Sequence, residues 1–345
     1  MRVSTDRVCI VMMSAVGDAV HVLPVLHSLK RANPAMHVTW ILQPGPAALV
    51  RGHALVDEII IFDRSSGVSG FLDIRSKLQD RSFDLVICLQ VYLKANIITS
   101  FIKAPVKLGF DHARARDLNW LFTTHKIPPH SMQHVQDQYL EFCQWLGAPT
   151  EPVTWGLGPW SQEERLWQSS FYSKIERPVA AIVVATSKPQ KNWLPERWAK
   201  VCDTLYADFG LQPVLVGGRS PLEVEFERVI LERAKHKPLS ALGNGGLRGL
   251  VGIFDGAELV LSPDTGPLHI TVALDRPVVS LIGYSNPKRV GPYRKFSDLI
   301  IDAYGDPGED YPISMENRKD RMHLITVEDV LAKVQLWDTN YRFNN

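Results

Sequence analysis

Three short stretches of this chain place groups that can move a proton or hold an anion at the start of an apolar segment. The first is Ser14-Ala15-Val16-Gly17-Asp18, just past the apolar run Val8 to Met13. Gly17 permits a tight turn, and a carboxylate at Asp18 has two uses: it can cap the free N–H groups of a helix start, or it can act as a general base. The second, Ala185-Thr186-Ser187-Lys188-Pro189-Gln190-Lys191-Asn192-Trp193, sets hydroxyls and lysines beside another helix start. That combination suits a phosphate, although a solvated polar turn has the same composition. Its spacing is not that of a Walker loop. The third, Ser262-Pro263-Asp264-Thr265-Gly266-Pro267-Leu268-His269, follows one apolar segment and opens another. Thr265, Gly266 and Leu268 can turn N–H groups toward an anion, and His269 adds a donor one turn in. Pro267 supplies only its fixed φ. An aspartic protease reading of Asp264-Thr265-Gly266 fails, because the second carboxylate motif it needs is missing.

Other stretches carry less. Gly217-Gly218, after the apolar run ending at Val216, lets a ligand approach the backbone, with Arg219 and Glu223 as the nearby polar side chains. Gly243-Asn244-Gly245-Gly246-Leu247-Arg248-Gly249 superficially evokes a dinucleotide loop, but no clear strand precedes it and the spacing is off by one. Asp306, Glu309 and Asp310 lie in a Pro/Gly-rich loop, where solvation is expected rather than metal binding. No Asp-x-Asp occurs. From Lys94 to Lys126 six basic residues (Lys94, Lys103, Lys107, Arg114, Arg116, Lys126) stand against Asp111 and Asp117. This stretch either docks an anionic partner or is a solvated face.

The elements that must hold these loops read as two α/β domains. Strands are expected at 8–13, 37–42, 56–62, 83–89 and 106–110, with helices at 18–32, 69–81, 92–103 and 131–146. A second set of strands falls at 179–184, 212–216, 258–261 and 278–282, with helices near 195–209, 220–236, 247–255 and 265–274. Between them, Gly147 to Pro178 is rich in Pro, Gly, Trp and Ser and reads as a connection. The expected division is 1–160, 175–326 and a terminal helix and tail at 327–345. Parallel sheets bind ligands beyond the carboxyl ends of their strands, so the two domains are expected to face one another across a cleft lined by strand-to-helix loops.

Composition narrows the class. With 345 residues there is length for two cores, and 38 basic against 37 acidic residues are too balanced for a protein that wraps nucleic acid. Cys9, Cys88, Cys143 and Cys202 are far apart and form no C-x-x-C, which fits a reducing cytoplasm without zinc or disulfides. The apolar run after Arg2 and Arg7 is short for an export signal, and no window reaches the ~18 apolar residues of a spanning helix.

Taken together, Gly17-Asp18, Thr186-Ser187 with Lys191, and Asp264 to His269 resemble glycosyltransferase family 9, the heptosyltransferases of the lipopolysaccharide inner core. Lys107-Leu108-Gly109-Phe110 and His134 ahead of Gln138-Tyr139-Leu140 add to the likeness, and Asn286 to Tyr293 is similar to the heptosyltransferase I branch. The resemblance implies a GT-B fold of two Rossmann-like domains, acceptor on the first and ADP-heptose on the second, and inversion at the anomeric carbon without a cofactor or metal. It implies Asp18 as base, Lys191 as diphosphate-binding and catalytic lysine, and Thr186 and Ser187 as phosphate-side hydroxyls. Asp264, Thr265, Gly266, Leu268 and His269 would form the donor loop. Family members commonly carry an acidic residue just past the Gly217-Gly218 turn to hold the ribose, whereas here Arg219 and Ser220 come first and Glu223 later. The implied acceptor is Kdo-lipid A, an anionic lipid-linked sugar, with Ser14, Gly17, Lys107, Arg114, Arg116 and His134 as candidate contacts. A station at the inner face of the cytoplasmic membrane follows from that acceptor. Three rivals are a glycosyltransferase of the same family with another nucleotide sugar or acceptor, a sugar-nucleotide epimerase on the same double fold, which acts without an acceptor, and a two-lobed solute-binding protein, which requires export.

Overall fold

The computed structural model describes residues 5–342. It divides into two compact units, Met1–Gly156 and Leu157–Asn345. In the first unit the chain runs β1 (Arg7–Val11), α1 (Val16–Ala32), β2 (His37–Leu42), α2 (Pro44–Val50), β3 (Glu58–Ile61), α3 (Gly67–Leu78), β4 (Leu85–Cys88), α4 (Leu93–Phe101), β5 (Val106–Gly109), α5 (Asn119–Phe122), β6 (His125–Lys126) and α6 (Val135–Trp145). Every strand pairing is parallel, in the order β3-β2-β1-β4-β5-β6. β1 is central, with Cys9 opposite Thr39 on one side and Val86 on the other. From Val8 to Met13 it is almost wholly buried. A run without a polar face is what a strand covered by helices on both sides requires.

The second unit repeats the plan. It comprises α7 (Gln162–Tyr172), β7 (Val179–Val183), α8 (Pro195–Ala207), β8 (Gln212–Val216), α9 (Pro221–Arg233), β9 (Leu239–Ser240), α10 (Gly246–Gly256), β10 (Leu259–Pro263), α11 (Gly266–Ala273), β11 (Val278–Ile282), α12 (Pro287–Val290), β12 (Ile300–Asp302) and α13 (Val327–Asn340). Its parallel sheet has the order β12-β11-β10-β7-β8-β9. Counted within each unit, both sheets follow the 3-2-1-4-5-6 order of a dinucleotide-binding fold. These are the two Rossmann-like domains of a GT-B architecture. In each, the chain winds outward from the central strand, returns, and winds the other way. The return leaves a crevice outside the carboxyl ends of β1 and β4 in one unit, and of β7 and β10 in the other.

The long strands and helices lie within a few residues of their expected places; the short edge elements do not announce themselves. α7 falls in the stretch that composition marks as a connection, although Ser161 and Glu164 form a full capping box at its start. Its aromatic face rests on α10, where Gly245, Gly249, Gly252 and Gly256 lie at helical spacing. A Cβ at Gly245 would come within 2.9 Å of the Trp167 ring, and one at Gly256 within 2.5 Å of Tyr172. The later glycines of the cluster that evokes a dinucleotide loop thus belong to a groove for two rings on α10. Arg248 pairs with Glu164 at 2.7 Å and lies 3.7 Å from the centre of the Trp160 ring. α13 packs Val330, Val334 and Trp337 into the same core as β7 and β8. All four cysteines are free and buried, and burial pushes the Cys9, Cys88, Cys143 and Cys202 thiols up. Among the described residues no helix is long and apolar enough to cross a membrane.

Candidate active site

In the first unit the loop leaving β1 opens into the crevice where the strand order reverses. Ala15 occupies the cap position of α1 and has no side-chain oxygen to offer the exposed N–H groups. Asp18, at the third helical position, reaches back instead: its Oδ2 accepts the Ala15 N–H at 2.7 Å. The capping use of this carboxylate is therefore realised. Its Oδ1 accepts the phenol of Tyr139 on α6 at 3.3 Å, and the carboxylate as a whole stays half-buried. Across the crevice, Gln90 follows β4 and clamps the same loop. Its Oε1 accepts the Met13 N–H at 2.9 Å, and its Nε2 donates to the Ser14 carbonyl at 3.1 Å. Ser14 is half-buried and Gly17 buried inside the first turn of α1.

The other expected acceptor contacts divide. His134 caps α6, its Nδ1 accepting the Gln136 N–H at 3.1 Å, and stands edge-on to His21 with centroids 5.7 Å apart. Arg114 is a correction. Its guanidinium grips Glu141 through two 2.7 Å bonds, binds Asp111, and lies only 6% exposed. It fastens the segment after β5 to α6 and cannot belong to a solvated basic face. Lys107 likewise turns inward, donating to the Thr99 carbonyl at 2.8 Å, and burial holds its ammonium below the usual lysine range. Arg116 is exposed.

In the second unit the loops after β7 and β10 flank the corresponding crevice. Thr186 is buried and structures its own loop, its N–H donating to Asn192 Oδ1 at 2.6 Å and its hydroxyl to the Lys188 carbonyl at 2.8 Å. Ser187 is exposed. Lys191 ends a short 3-10 turn, and its Nζ lies 2.5 Å from Asp264 Oδ2, joining one switch-point loop to the other. Asp264 is buried, so this carboxylate keeps the ammonium at the carboxyl edge of the sheet. Thr265 caps α11 with extended backbone and no side-chain bond to the helix. Leu268 departs from expectation, since its N–H turns back to the Thr265 carbonyl at 3.0 Å. The candidate anion donors of this helix start reduce to Thr265 and Gly266, with the buried His269 behind them.

The Gly217-Gly218 turn is also already engaged. Glu223 Oε1 accepts the Gly218 N–H at 2.7 Å, and its Oε2 accepts the Ser220 N–H at 2.9 Å, so the carboxylate completes the capping box of α9, whose cap residue is Ser220. Arg219 is exposed, and its aliphatic stem covers Gly243, where a Cβ would meet it at 2.6 Å. Gln90, Tyr139 and Asn192 were not singled out by residue type. Only the position of Gln90 just past an apolar strand signals it. Among the described residues no three His, Cys, Asp or Glu side chains group as metal ligands, and the Asp306 and Glu309 carboxylates pair with Arg321 and Arg318.

The crevice of the first unit thus holds a half-buried carboxylate, and that of the second a lysine beside a helix start. Comparison with known proteins gives the family. The family model for glycosyltransferase family 9 (heptosyltransferase) matches residues 71–309. This chain belongs to glycosyltransferase family 9. The family 9 chain is 28% identical over 335 residues to the lipopolysaccharide core heptosyltransferase OpsX of Haemophilus influenzae, covering 95% of each. It is 30% identical over 303 residues to lipopolysaccharide heptosyltransferase 1 of Escherichia coli K12, covering 84% of this chain and 91% of that one. Among solved structures it superimposes on E. coli heptosyltransferase WaaC with ADP, with a TM-score of 0.76, 25% identity, and coverage of 96% and 99%. The molecule is therefore a glycosyltransferase of GT-B fold.

Proposed function

We propose that this enzyme transfers a heptose from ADP-heptose to Kdo-lipid A or a related inner-core lipopolysaccharide acceptor, with inversion and without a metal, at the inner face of the cytoplasmic membrane. In this reading the first unit takes the acceptor and the second the nucleotide sugar. Asp18 accepts the proton of a sugar hydroxyl as that oxygen bonds to the anomeric carbon. The bond from that carbon to the diphosphate oxygen breaks, and its electron pair leaves with ADP. Lys191 and the start of α11 relieve the charge gathering on the leaving group, a helix end being worth roughly 0.3 to 2 kcal/mol. Arg114 and Lys107 are committed to Glu141 and Thr99, so recognition of acceptor charge falls to Arg116, with Ser14 and Gly17 at the loop.

The observation that carries this reading is the Lys191–Asp264 pair, which sets one cation beside a helix start at the switch point of the second unit. Relatives named as lipopolysaccharide heptosyltransferases support the sugar and the acceptor. The test is mass spectrometry of product formed from ADP-heptose and Kdo-lipid A in chelator. A heptosylated acceptor with ADP released is expected. A changed nucleotide sugar formed without acceptor would instead indicate an epimerase, and activity restored only by added magnesium would overturn the metal-free mechanism.

A further inference from the structure

The net positive charge at the start of α11 does not come from Lys191. Its Nζ is 2.5 Å from Asp264 Oδ2, and the two side chains are 17% and 7% exposed, so their ammonium and carboxylate largely cancel for any anion a few ångströms away. A diphosphate at that edge meets a dipole and the backbone of Thr265 and Gly266. A leaving group that gains charge as its bond breaks calls for a net cation as well. Most other cations beyond the strands of this sheet are paired too: Lys288 is 2.9 Å from Asp310, Arg318 2.6 Å from Glu309 and Arg321 2.8 Å from Asp306.

Lys188 is different. It is exposed, and among the described residues no carboxylate pairs with it. Its Nζ lies 5.9 Å from the centre of the Tyr284 ring, within reach of a cation–π contact. Lys188 belongs to the loop after β7 and Tyr284 to the loop after β11, and the strand order β11-β10-β7 sets Asp264 and Thr265 between them. The side chain therefore spans the start of α11. Arg219 and Arg289 also lack a carboxylate, but neither has a contact that crosses this start. The backbone of Lys188 is fixed by Thr186. One buried hydroxyl donates to the Lys188 carbonyl at 2.8 Å and accepts the Lys188 N–H at 3.1 Å, while the Lys191 N–H donates to the same carbonyl at 2.9 Å. A hydroxyl has a single proton, and Thr186 has given its own to Lys188, so it has none to offer a phosphate oxygen.

We propose that Lys188 supplies the net positive charge that holds the donor's diphosphate, and that Thr186 is a positioning residue for Lys188 instead of a phosphate ligand. Lys191 keeps its part as one half of the dipole beside the helix start. The inference rests on the nucleotide-sugar site proposed above for the second unit, and it assigns the net charge there to a residue to which the resemblance gives no role.

Titration calorimetry of the full chain with ADP, and with adenosine as a probe that lacks phosphate, tests this. Wild type is expected to prefer ADP, less so in high salt. Lys188→Met should weaken ADP roughly tenfold or more, leave adenosine unchanged and flatten the salt dependence, with Tm held because the side chain is exposed. Lys188→Arg should recover most of the loss. Lys200→Met removes an exposed charge from α8 and should bind ADP like wild type. Thr186→Val is expected to follow Lys188→Met, and Thr186→Ser to follow wild type. Thr186→Val/Lys188→Met should lose no more than Lys188→Met alone, since the two act through one group. Undiminished ADP affinity in Lys188→Met would overturn the role of Lys188, and equal losses in Thr186→Ser and Thr186→Val would overturn that of Thr186. Wild type that bound ADP no better than adenosine would instead overturn the donor site itself, a result that needs no variant.

Discussion

The phenol of Tyr139 donates to Asp18 Oδ1 at 3.3 Å while the Ala15 N–H fills Oδ2 at 2.7 Å, so one carboxylate is both a helix cap and the acidic group at a ligand crevice. Two donors fix its orientation. Asp18→Asn separates the two uses, because an amide oxygen can still accept the Ala15 N–H but cannot take up a proton. Turnover should fall by about 10²- to 10⁴-fold with ADP affinity and Tm little changed. Steady-state kinetics beside calorimetry decide the matter, and near-normal turnover would leave Asp18 with capping alone.

Tyr139→Phe keeps a ring that is 5% exposed and removes only the hydroxyl. We expect turnover to drop roughly two- to tenfold, the scale of one hydrogen bond. In an Asp18→Asn background the same change should add no further loss. An additional drop there would mean that Tyr139 acts by some route other than Asp18.

Lys191→Ala strands the buried carboxylate of Asp264 and, if Lys191 meets the leaving group as proposed, also removes a charge-assisted contact to it. ADP binding should weaken about tenfold or more, and Tm should fall. Titration calorimetry well below the melting temperature separates the two effects. Unchanged ADP affinity would take Lys191 out of the donor site.

The Arg248 hydrogen bonds hold the Glu164 carboxyl down at about 2, against an ordinary value of 4.5. A folded value below the unfolded one means that the pair contributes stability above about 4.5 and loses it as pH falls toward 2. Wild type should therefore exceed Glu164→Gln in Tm at neutral pH, with the gap closing through that window. Melting curves from pH 7 to pH 3 check this, and a constant gap would place the effect of the substitution elsewhere.

The major strands and helices were legible because burial on both faces of a parallel sheet leaves apolar runs with turn signals at their ends, as in Val8 to Met13 and Val278 to Ile282. The three loops that hold the candidate site residues were placed for the same reason, since each follows such a run. Partners were not. Nothing in the spacing of Arg114 tells that Glu141, twenty-seven residues on, would bury it. That is a tertiary pairing, and charge counted along the chain overestimates what reaches the surface, whereas the bonds of Glu223 to Gly218 and Ser220 are local and the Ser220-x-x-Glu223 capping box is legible in the sequence. α7 was hidden by aromatic residues that look like linker filler until the glycine groove on α10 gives them a place.

That groove has a practical bearing on how the later half can be prepared by itself. A fragment begun near residue 175 would keep both the sheet and the Lys191–Asp264 bridge yet lay bare a bare-backboned furrow on α10, a sticky scar in water. Starting at Leu157 keeps Trp167 and Tyr172 in their seats, so the few residues before the first strand decide between a well-behaved preparation and a precipitate.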